Sequence, residues 1–357
     1  MRYVSHKQLH DFSCRIFIKA GMLAEEAAIA STTLISADLR GIDSHGIARL
    51  PGYMRLFKLG RMNPRPQIKT IHESPSTLTL DADNAPGLLA GPYAMDLAIK
   101  KAETCGTGWV AVQNSNHFGI AGFHAMRALH HQMIGIAMTN ASPLVAPTFS
   151  TSRLLGTNPI AFAVPALNEP PFVADFATTT AANGKLEILQ RKNENAPLGW
   201  IQDKSGNTSE NPNELAVGGA LLPLGSDREH GSHKGYCLGA TVDILSAILS
   251  GANYGPWVPP FVAFLNPPDN PVGKGIGHFF GALRVDAFRP ADDFLKHMDH
   301  WIQTFRQAER VNPNQPIIIP GDPERLTEFT RIQEGIPLHP TVDNSLIALG
   351  KELDISF

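Results

Sequence analysis

Residues 91–119, GPYAMDLAIKKAETCGTGWVAVQNSNHFG, set three textures end to end: an Ala-rich helical pattern (91–105), a short β-rich apolar run (109–113) and a polar cluster (114–119). The same alternation extends to both sides. Further β-rich runs occupy residues 67–71, 76–81, 134–139, 160–164 and 172–175, and a second helical pattern covers 122–131. Strands alternating with helices predict an α/β region.

Working outward toward the N-terminus, residues 1–60 predict three helices. Ser5 followed by Gln8 forms a capping box, after which Leu9, Phe12, Ile16 and Ala20 recur at helical spacing until Gly21. A second helix spans about 24–40 and stops at Gly41. A third starts at Asp43 or Ser44 and runs to about residue 59, ended by Gly60. Residues 63–66, NPRP, form a connector. Toward the C-terminus, residues 191–213 are polar and turn-rich, with a surface turn at 203–207. Residues 235–251 predict a buried helix, and 256–277, with six prolines, an irregular loop. Helical texture returns at 290–311, and a β run at 317–319 precedes Pro320-Gly321-Asp322-Pro323-Glu324.

The 357 residues are 43% hydrophobic and 18% charged, with a net charge of -3. That is globular composition, long enough for two domains and a sizeable core. The near-neutral balance argues against a nucleic-acid partner, which needs a basic face. Cys14, Cys105 and Cys237 form no CxxC and no zinc spacing, and are expected to be buried, reduced thiols. No leader-like apolar segment opens the chain and no stretch is apolar enough to span a membrane, so a cytoplasmic location follows by elimination.

Five segments can carry chemistry. In the predicted third helix, His45, Arg49, Tyr53 and Phe57 share a face at i, i+4 spacing. An arginine fork can grip a carboxylate while a histidine exchanges a proton near neutral pH. On spacing alone, an amphipathic helix with Arg49 on its solvated side accounts for the same residues. His117 lies in the polar cluster after an apolar strand, where α/β folds place ligands. Residues 175–182, DFATTTAA, offer small side chains and free amides to a flat polar ligand. Lys234, between Gly231 and Gly235, can meet a phosphate, whereas His230 and His233 lack the further ligands of a metal site. Asp322 and Pro323 open a helix as N-cap and N1, and such an N-terminus can receive an anion. GxGxxG after a strand, GxxxxGK[ST] and GxSxG are all absent, which removes the standard Rossmann, P-loop and α/β-hydrolase signatures.

In collinear order, DLRGIDSHGIARLPGYMRLFKLGRMNP (38–64), NSNHFGIAG (114–122), TNASPLVAP (139–147), LLGTNPIAFAVP (154–165), PFVADFATTTAANGK (171–185), GALLPLG (219–225), HKGYCLGATVDILSAILSGANYG (233–255), GHFFGAL (277–283), IIIPGDPERL (317–326) and EGIPL (334–338) resemble the type 2 malate/L-lactate dehydrogenase family. Sulfolactate and ureidoglycolate dehydrogenases and 2,3-diketo-L-gulonate and piperideine-2-carboxylate reductases are its relatives. The resemblance implies an NAD- or NADP-dependent oxidoreductase moving a hydride between nicotinamide and C2 of a small 2-hydroxy or 2-oxo acid. It implies an L-sulfolactate dehydrogenase-like α/β fold with a mixed sheet and a non-Rossmann dinucleotide site. The helical region 1–66 would pack with 285–357, beside a cofactor-binding domain at 67–284.

By the same resemblance His45 and His117 are the acid/base pair, with the choice of principal histidine open. Ser44 supports His45, and Arg49 holds the substrate carboxylate. The cofactor would meet Asn140, Ser142, Asp175, Phe176, Ala177, Thr178, Lys234, Gly321, Asp322 and Glu324. No metal is implied, and the partners are a small carboxylate and a second copy of the chain, with no membrane or nucleic acid. Lys185 stands where the imine-reducing relatives would carry an acid, which favours a 2-oxo acid over a cyclic imine. Two readings of other classes are a metal-assisted hydrolase built on His45, His117 and His230 or His233, and a dinucleotide-binding protein without activity.

Overall fold

The computed structural model describes residues 1–261 and 266–357, so residues 262–265 of the proline-rich stretch lie outside the described residues. The chain opens with a short strand, β1 (Arg2–Val4), and three helices, α1 (His6–Lys19), α2 (Ala24–Leu39) and α3 (Leu50–Lys58). Each helix stops in the same way. Gly21, Gly41 and Gly60 adopt φ of 110°, 80° and 64°. The next residue then donates back into the helix: Met22 to the Phe17 carbonyl, Ile42 to Ala37 and Arg61 to Leu56. Glycine reaches this left-handed conformation without strain, and the bonds satisfy carbonyls that a helix end leaves open. The Ser5 hydroxyl accepts the Gln8 amide at 3.2 Å, as the capping pattern predicts.

The α/β part follows as β2 (Lys69–Glu73), β3 (Thr77–Ala85), α4 (Gly87–Cys105), β4 (Thr107–Ser115), α5 (Ala121–Met126), β5 (Met133–Thr139), β6 (Ile160–Val164) and β7 (Phe172–Phe176). After α6 (Asn183–Lys192), the two-residue strands β8 (Ile201–Gln202), β9 (Thr208–Ser209) and β10 (Ala220–Leu221) make a small separate sheet. The remaining elements are α7 (Ser232–Asp243), β11 (Ile276–Arg284), α8 (Ala291–Arg306), α9 (Asp322–Glu334), β12 (Ile336–Leu338) and α10 (Pro340–Leu353).

The main sheet is mixed, seven strands in the order β2-β3-β4-β11-β5-β6-β7. Strands β3 and β4 are parallel, and β11 is antiparallel to both β4 and β5. Strand β6 is antiparallel to β5, and β7 to β6. It follows that β3, β4, β5 and β7 all run the same way and end at one edge of the sheet. The segments holding His117 and Asn140 leave from that edge, and Asp175 lies near the end of β7 there, on the usual ligand side of an open α/β sheet.

Strand β11, in the middle of the sheet, is absent from the sequence expectations. Its glycines conceal it: Gly281 leaves room for the Trp109 ring, which stacks on Phe279 at 5.4 Å. Three other expectations are corrected. Residues 317–319 form no strand, since Pro316 and Pro320 bracket them and the Ile319 amide goes to Asp322 at 3.1 Å. Helix α7 and the π-helical turn after it are not buried. Only one face packs, leaving Tyr236, Leu238, Ile244, Ile248 and Leu249 exposed. Of the cysteines, Cys105 and Cys237 are exposed and Cys14 is half-buried, although all three are free thiols.

Two cores result. The helical one joins Leu9, Phe12, Phe17, Leu34, Leu50 and Tyr53 to Ile336, Leu338, Leu346 and Leu349 near the other end of the chain. Pairing of β1 with β12 and a 3.0 Å ion pair between Arg40 and Glu328 of α9 tie these ends together. Helix α8 instead lies by the turn between β6 and β7, where Asp299 accepts the amides of Leu167 at 3.0 Å and Glu169 at 3.0 Å. The second core lies between the sheet and helices α4 and α5. There α4 approaches β4 so closely that a Cβ on Gly108 would fall 2.0 Å from the Ala98 carbonyl oxygen. Gly108→Ala is therefore expected to cost about 1–3 kcal/mol by overpacking, read as a lower urea midpoint; an unchanged midpoint would contradict this close contact.

Candidate active site

The segment from Asp43 to Arg49 does not begin the third helix. Residues 43–46 turn, Ile47–Arg49 make one 3-10 turn, and α3 starts only at Leu50, with Pro51 in its first turn. Asp38, near the end of α2, is the cause. Its buried carboxylate accepts the Ile47 amide at 2.6 Å and lies flat against Gly46, where a Cβ would come within 2.2 Å of its oxygens. Asp38 thus caps the turn that Asp43 or Ser44 was expected to cap. Asp43 pairs instead with Arg331 of α9, at 3.2 Å through Nη2. Burial pushes the Asp38 carboxyl well above the usual carboxylate range, against the opposing effect of the Ile47 amide.

His45 consequently sits on a loop, and packing rather than helical spacing sets its neighbours. Ser44 Oγ lies 2.9 Å from its Nδ1. Arg49 donates through Nε to the Ser44 carbonyl at 2.5 Å and through Nη2 to Glu187 of α6 at 3.2 Å. His117, two residues beyond β4, stacks on His45 with ring centroids 5.5 Å apart and planes at 26°. The buried Tyr53 of α3 places its hydroxyl 2.6 Å from Nδ1 of His117. Phe261 closes the group, 4.5 Å from the His117 ring and 5.0 Å from that of Tyr53.

These contacts set the proton positions. Burial raises the Tyr53 hydroxyl far above its usual range, so it stays protonated and donates. The Gly119 amide also points at Nδ1 of His117, at 3.4 Å. With two donors on Nδ1, the neutral His117 ring carries its proton on Nε2. Burial, reinforced by Arg49, lowers His45 to about 4. Burial, then the charges of His45, Arg49 and His278, hold His117 well below the usual histidine range. Two neutral imidazoles beside one permanent cation can bind an anion and pass a proton to or from an oxygen next to it.

The residues expected to meet a cofactor divide by how their side chains are used. Buried Asn140 donates to Asp243 at 3.0 Å and to the Asn253 carbonyl at 2.8 Å, and accepts the Gly277 amide at 3.0 Å. Buried Thr178 donates to the carbonyls of Thr157 and Asn158, both at 3.1 Å. Asp322 is the first residue of α9 rather than its cap, because its carboxylate turns to Arg325 at 2.6 Å and Arg306 at 3.2 Å. These three side chains tie the frame together. Ser142 Oγ accepts the Phe261 amide at 3.1 Å, linking the end of β5 to the histidine pair. Asp175 accepts the Gly122 amide at 2.7 Å. Burial raises it to about 6, opposed by the Gly122 amide and Arg40 and assisted by Glu324. Phe176 and Ala177 lie at the end of β7 and just past it, Phe176 with an exposed ring, and Gly321 packs against Val173. Lys234 is exposed in the first turn of α7.

The exposed Phe176 ring at the sheet edge, the exposed Lys234 of α7 and the Asp175 carboxyl are the kinds of group that a nicotinamide dinucleotide needs for its rings, diphosphate and ribose hydroxyls. The residues present therefore fit that group. The second histidine pair stays apart, with His230 on Asp227 at 2.7 Å and His233 on Arg228 at 2.9 Å. Among the described residues, no three His, Cys, Asp or Glu side chains gather where they could hold a metal ion.

A cavity of about 360 Å³ borders Ser44 and Arg49 on the α6 side, lined also by Glu187, Arg191, Lys192 and His339; neither histidine of the pair lines it. Glu187 and Phe261 were not legible as site residues. For Glu187 the available signal was Asn183 one turn earlier on the same helix; Phe261, after two prolines, offered none. Carbon-detected NMR of the histidine rings should find His45 neutral down to about pH 5, titrating only near the value of about 4 that burial and Arg49 impose. A midpoint at the ordinary histidine value would contradict that environment.

The chain matches the family model described as malate/L-lactate dehydrogenase over residues 4–347. It is 41% identical to the malate dehydrogenase of Pyrococcus abyssi over 349 residues, 98% of this chain and 94% of that protein. It is 36% identical to the L-sulfolactate dehydrogenase of Methanocaldococcus jannaschii, covering 95% of this chain and 93% of that one. The solved malate dehydrogenase from Pyrococcus horikoshii OT3 superposes with a TM-score of 0.90 at 38% identity, covering 99% of this chain and 96% of the other. These comparisons give no support to a hydrolase or to a binding protein without activity. The chain belongs to the malate/L-lactate dehydrogenase family and is a nicotinamide-dependent oxidoreductase acting on small 2-hydroxy acids.

Proposed function

We propose that the enzyme interconverts a malate- or lactate-like 2-hydroxy acid and its 2-oxo acid, with the substrate held between Arg49 and the pair His45 and His117. The observation that carries this reading is the stacking of two neutral imidazoles 5.5 Å apart, one of them on the same loop as Arg49. Arg49 takes the carboxylate, which fixes C2 beside the rings. His117, protonated on Nε2, donates a hydrogen bond to the substrate oxygen. With its Nδ1–H donating to the Ser44 hydroxyl, His45 has Nε2 free to accept the hydroxyl proton during oxidation. A carboxylate on Arg49 cancels part of the charge that depresses His45, which raises its proton affinity and suits it to the reverse step.

The cofactor, NAD or NADP, supplies and receives the hydride when bound. Ser142, Asp175, Phe176, Ala177, Lys234, Gly321 and Glu324 would hold it, with Asn140, Thr178 and Asp322 contributing through the backbone. We propose a homodimer, which the exposed apolar residues of α7 and the following turn support. A cytoplasmic location accords with three unpaired cysteines. No helix among the described residues is long and apolar enough to cross a membrane. A division into 1–66 with 285–357, and 67–284, is supported by the core that both chain ends share, with α8 an exception.

The test is loss of NADH or NADPH absorbance with a panel of 2-oxo acids; no turnover with any of them would sink the proposal. His45→Ala and His117→Ala should each lower kcat by about 10²–10⁴-fold. Arg49→Lys, which keeps the charge but loses the fork, should act mainly by raising KM. Equal activity of wild type and His45→Ala would remove His45 from the mechanism.

A further inference from the structure

Arg49 has two edges on which a carboxylate could dock, and the structure closes one of them. Its Nε donates to the Ser44 carbonyl at 2.5 Å, which removes the fork formed by Nε and its neighbouring Nη. The edge left for a ligand is the Nη1–Nη2 pair, and one of its two nitrogens, Nη2, already donates to the Glu187 carboxylate at 3.2 Å.

Glu187 is placed there by its own helix. Asn183, one turn earlier, donates to Oε1 at 3.0 Å, and Arg191, one turn later, lies 3.6 Å from Oε2. The start of α6 is seated against the loop of Ser44, because Gly184 has no side chain and a Cβ there would fall 2.5 Å from that of Ser44. The Arg49 and Glu187 side chains remain 23% and 29% exposed, so a ligand and water can reach the pair. An ion pair open to solvent is weak enough to be exchanged for another carboxylate.

We infer that Glu187 is a built-in competitor for the substrate carboxylate: it occupies one arm of the Arg49 fork in the empty site and yields, toward Asn183 and Arg191, when a 2-oxo or 2-hydroxy acid binds. This rests on the reading above that Arg49 holds the substrate. The consequence concerns specificity. A ligand without a full negative charge gains less on Arg49 than the Glu187 contact gives up, so esters and amides of the same acids are disfavoured. The affinity for true substrates is lowered by the same exchange.

The experiment compares wild type with Glu187→Gln for KM and kcat with pyruvate and oxaloacetate. It also measures calorimetric Kd for oxamate, an unreactive 2-oxo analogue, with NADH present. KM and oxamate Kd are expected to fall by about three- to five-fold, the worth of a part-exposed ion pair, with the change in KM rather than kcat. Arg49→Lys combined with Glu187→Gln should show no such gain over Arg49→Lys alone, which a merely structural role for Glu187 would not produce. If Glu187→Gln folds poorly, Glu187→Asp, shorter by one methylene, should show a smaller fall in the same direction. Unchanged or raised constants overturn the inference. Should neither protein turn over any 2-oxo acid, the dehydrogenase reading fails while the oxamate Kd still decides the competition; oxamate binding to neither protein overturns both.

Discussion

The buried carboxylate of Asp38 accepts one amide, that of Ile47, and presses on one glycine, Gly46. Much of the site hangs on that contact. It stops the helix that Asp43 and Ser44 would otherwise begin, and it bends residues 43–49 into a loop whose histidine faces His117 and whose arginine faces α6. Arg331 clips the outer side of the same loop through Asp43, so the far end of the chain takes part in shaping it. Burial holds the Asp38 carboxyl toward its neutral form, a cost that the fold accepts in exchange for an irregular backbone beside the histidines.

A second constraint is the direction of the strands. Because β11 enters the sheet between β4 and β5 and runs against both, those two strands end at the same edge, and β7 ends there too. Residues more than 50 positions apart, such as His117 and Asp175, are thereby delivered to one side of the sheet without any local motif. In the proposed reading no glycine-rich turn is needed, because the sheet edge itself gathers the residues assigned to the ligand.

Electrostatics then divide the labour. Arg49 is a permanent charge, and the histidines next to it are kept neutral by burial and by that charge. Tyr53 and Gly119 hold the His117 proton on the nitrogen away from them, while Ser44 is the partner of His45. Two like residues in one stack thus have unequal surroundings, which is the basis for the different roles proposed for them. Glu187 adds a negative group that partly neutralises the arginine.

The three N-terminal helix ends, at Gly21, Gly41 and Gly60, were legible because they depend on bonds within a few residues of one another. Six strands of the main sheet were legible for the same reason, through apolar runs bounded by turns. Family resemblance, carried by motifs from residue 38 to 338, supplied the chemistry that single motifs left open. Only the tertiary structure decided that His45 lies off the helix, that β11 joins the centre of the sheet, and that Glu187 meets Arg49. Each depends on a contact between residues distant in sequence or on a side chain that is absent. Asp38 reaches across nine positions to Ile47, Gly281 yields space to Trp109, and Glu187 stands 138 positions from its partner. Periodicity reports which face of an element is apolar, but not which charge from elsewhere will meet it.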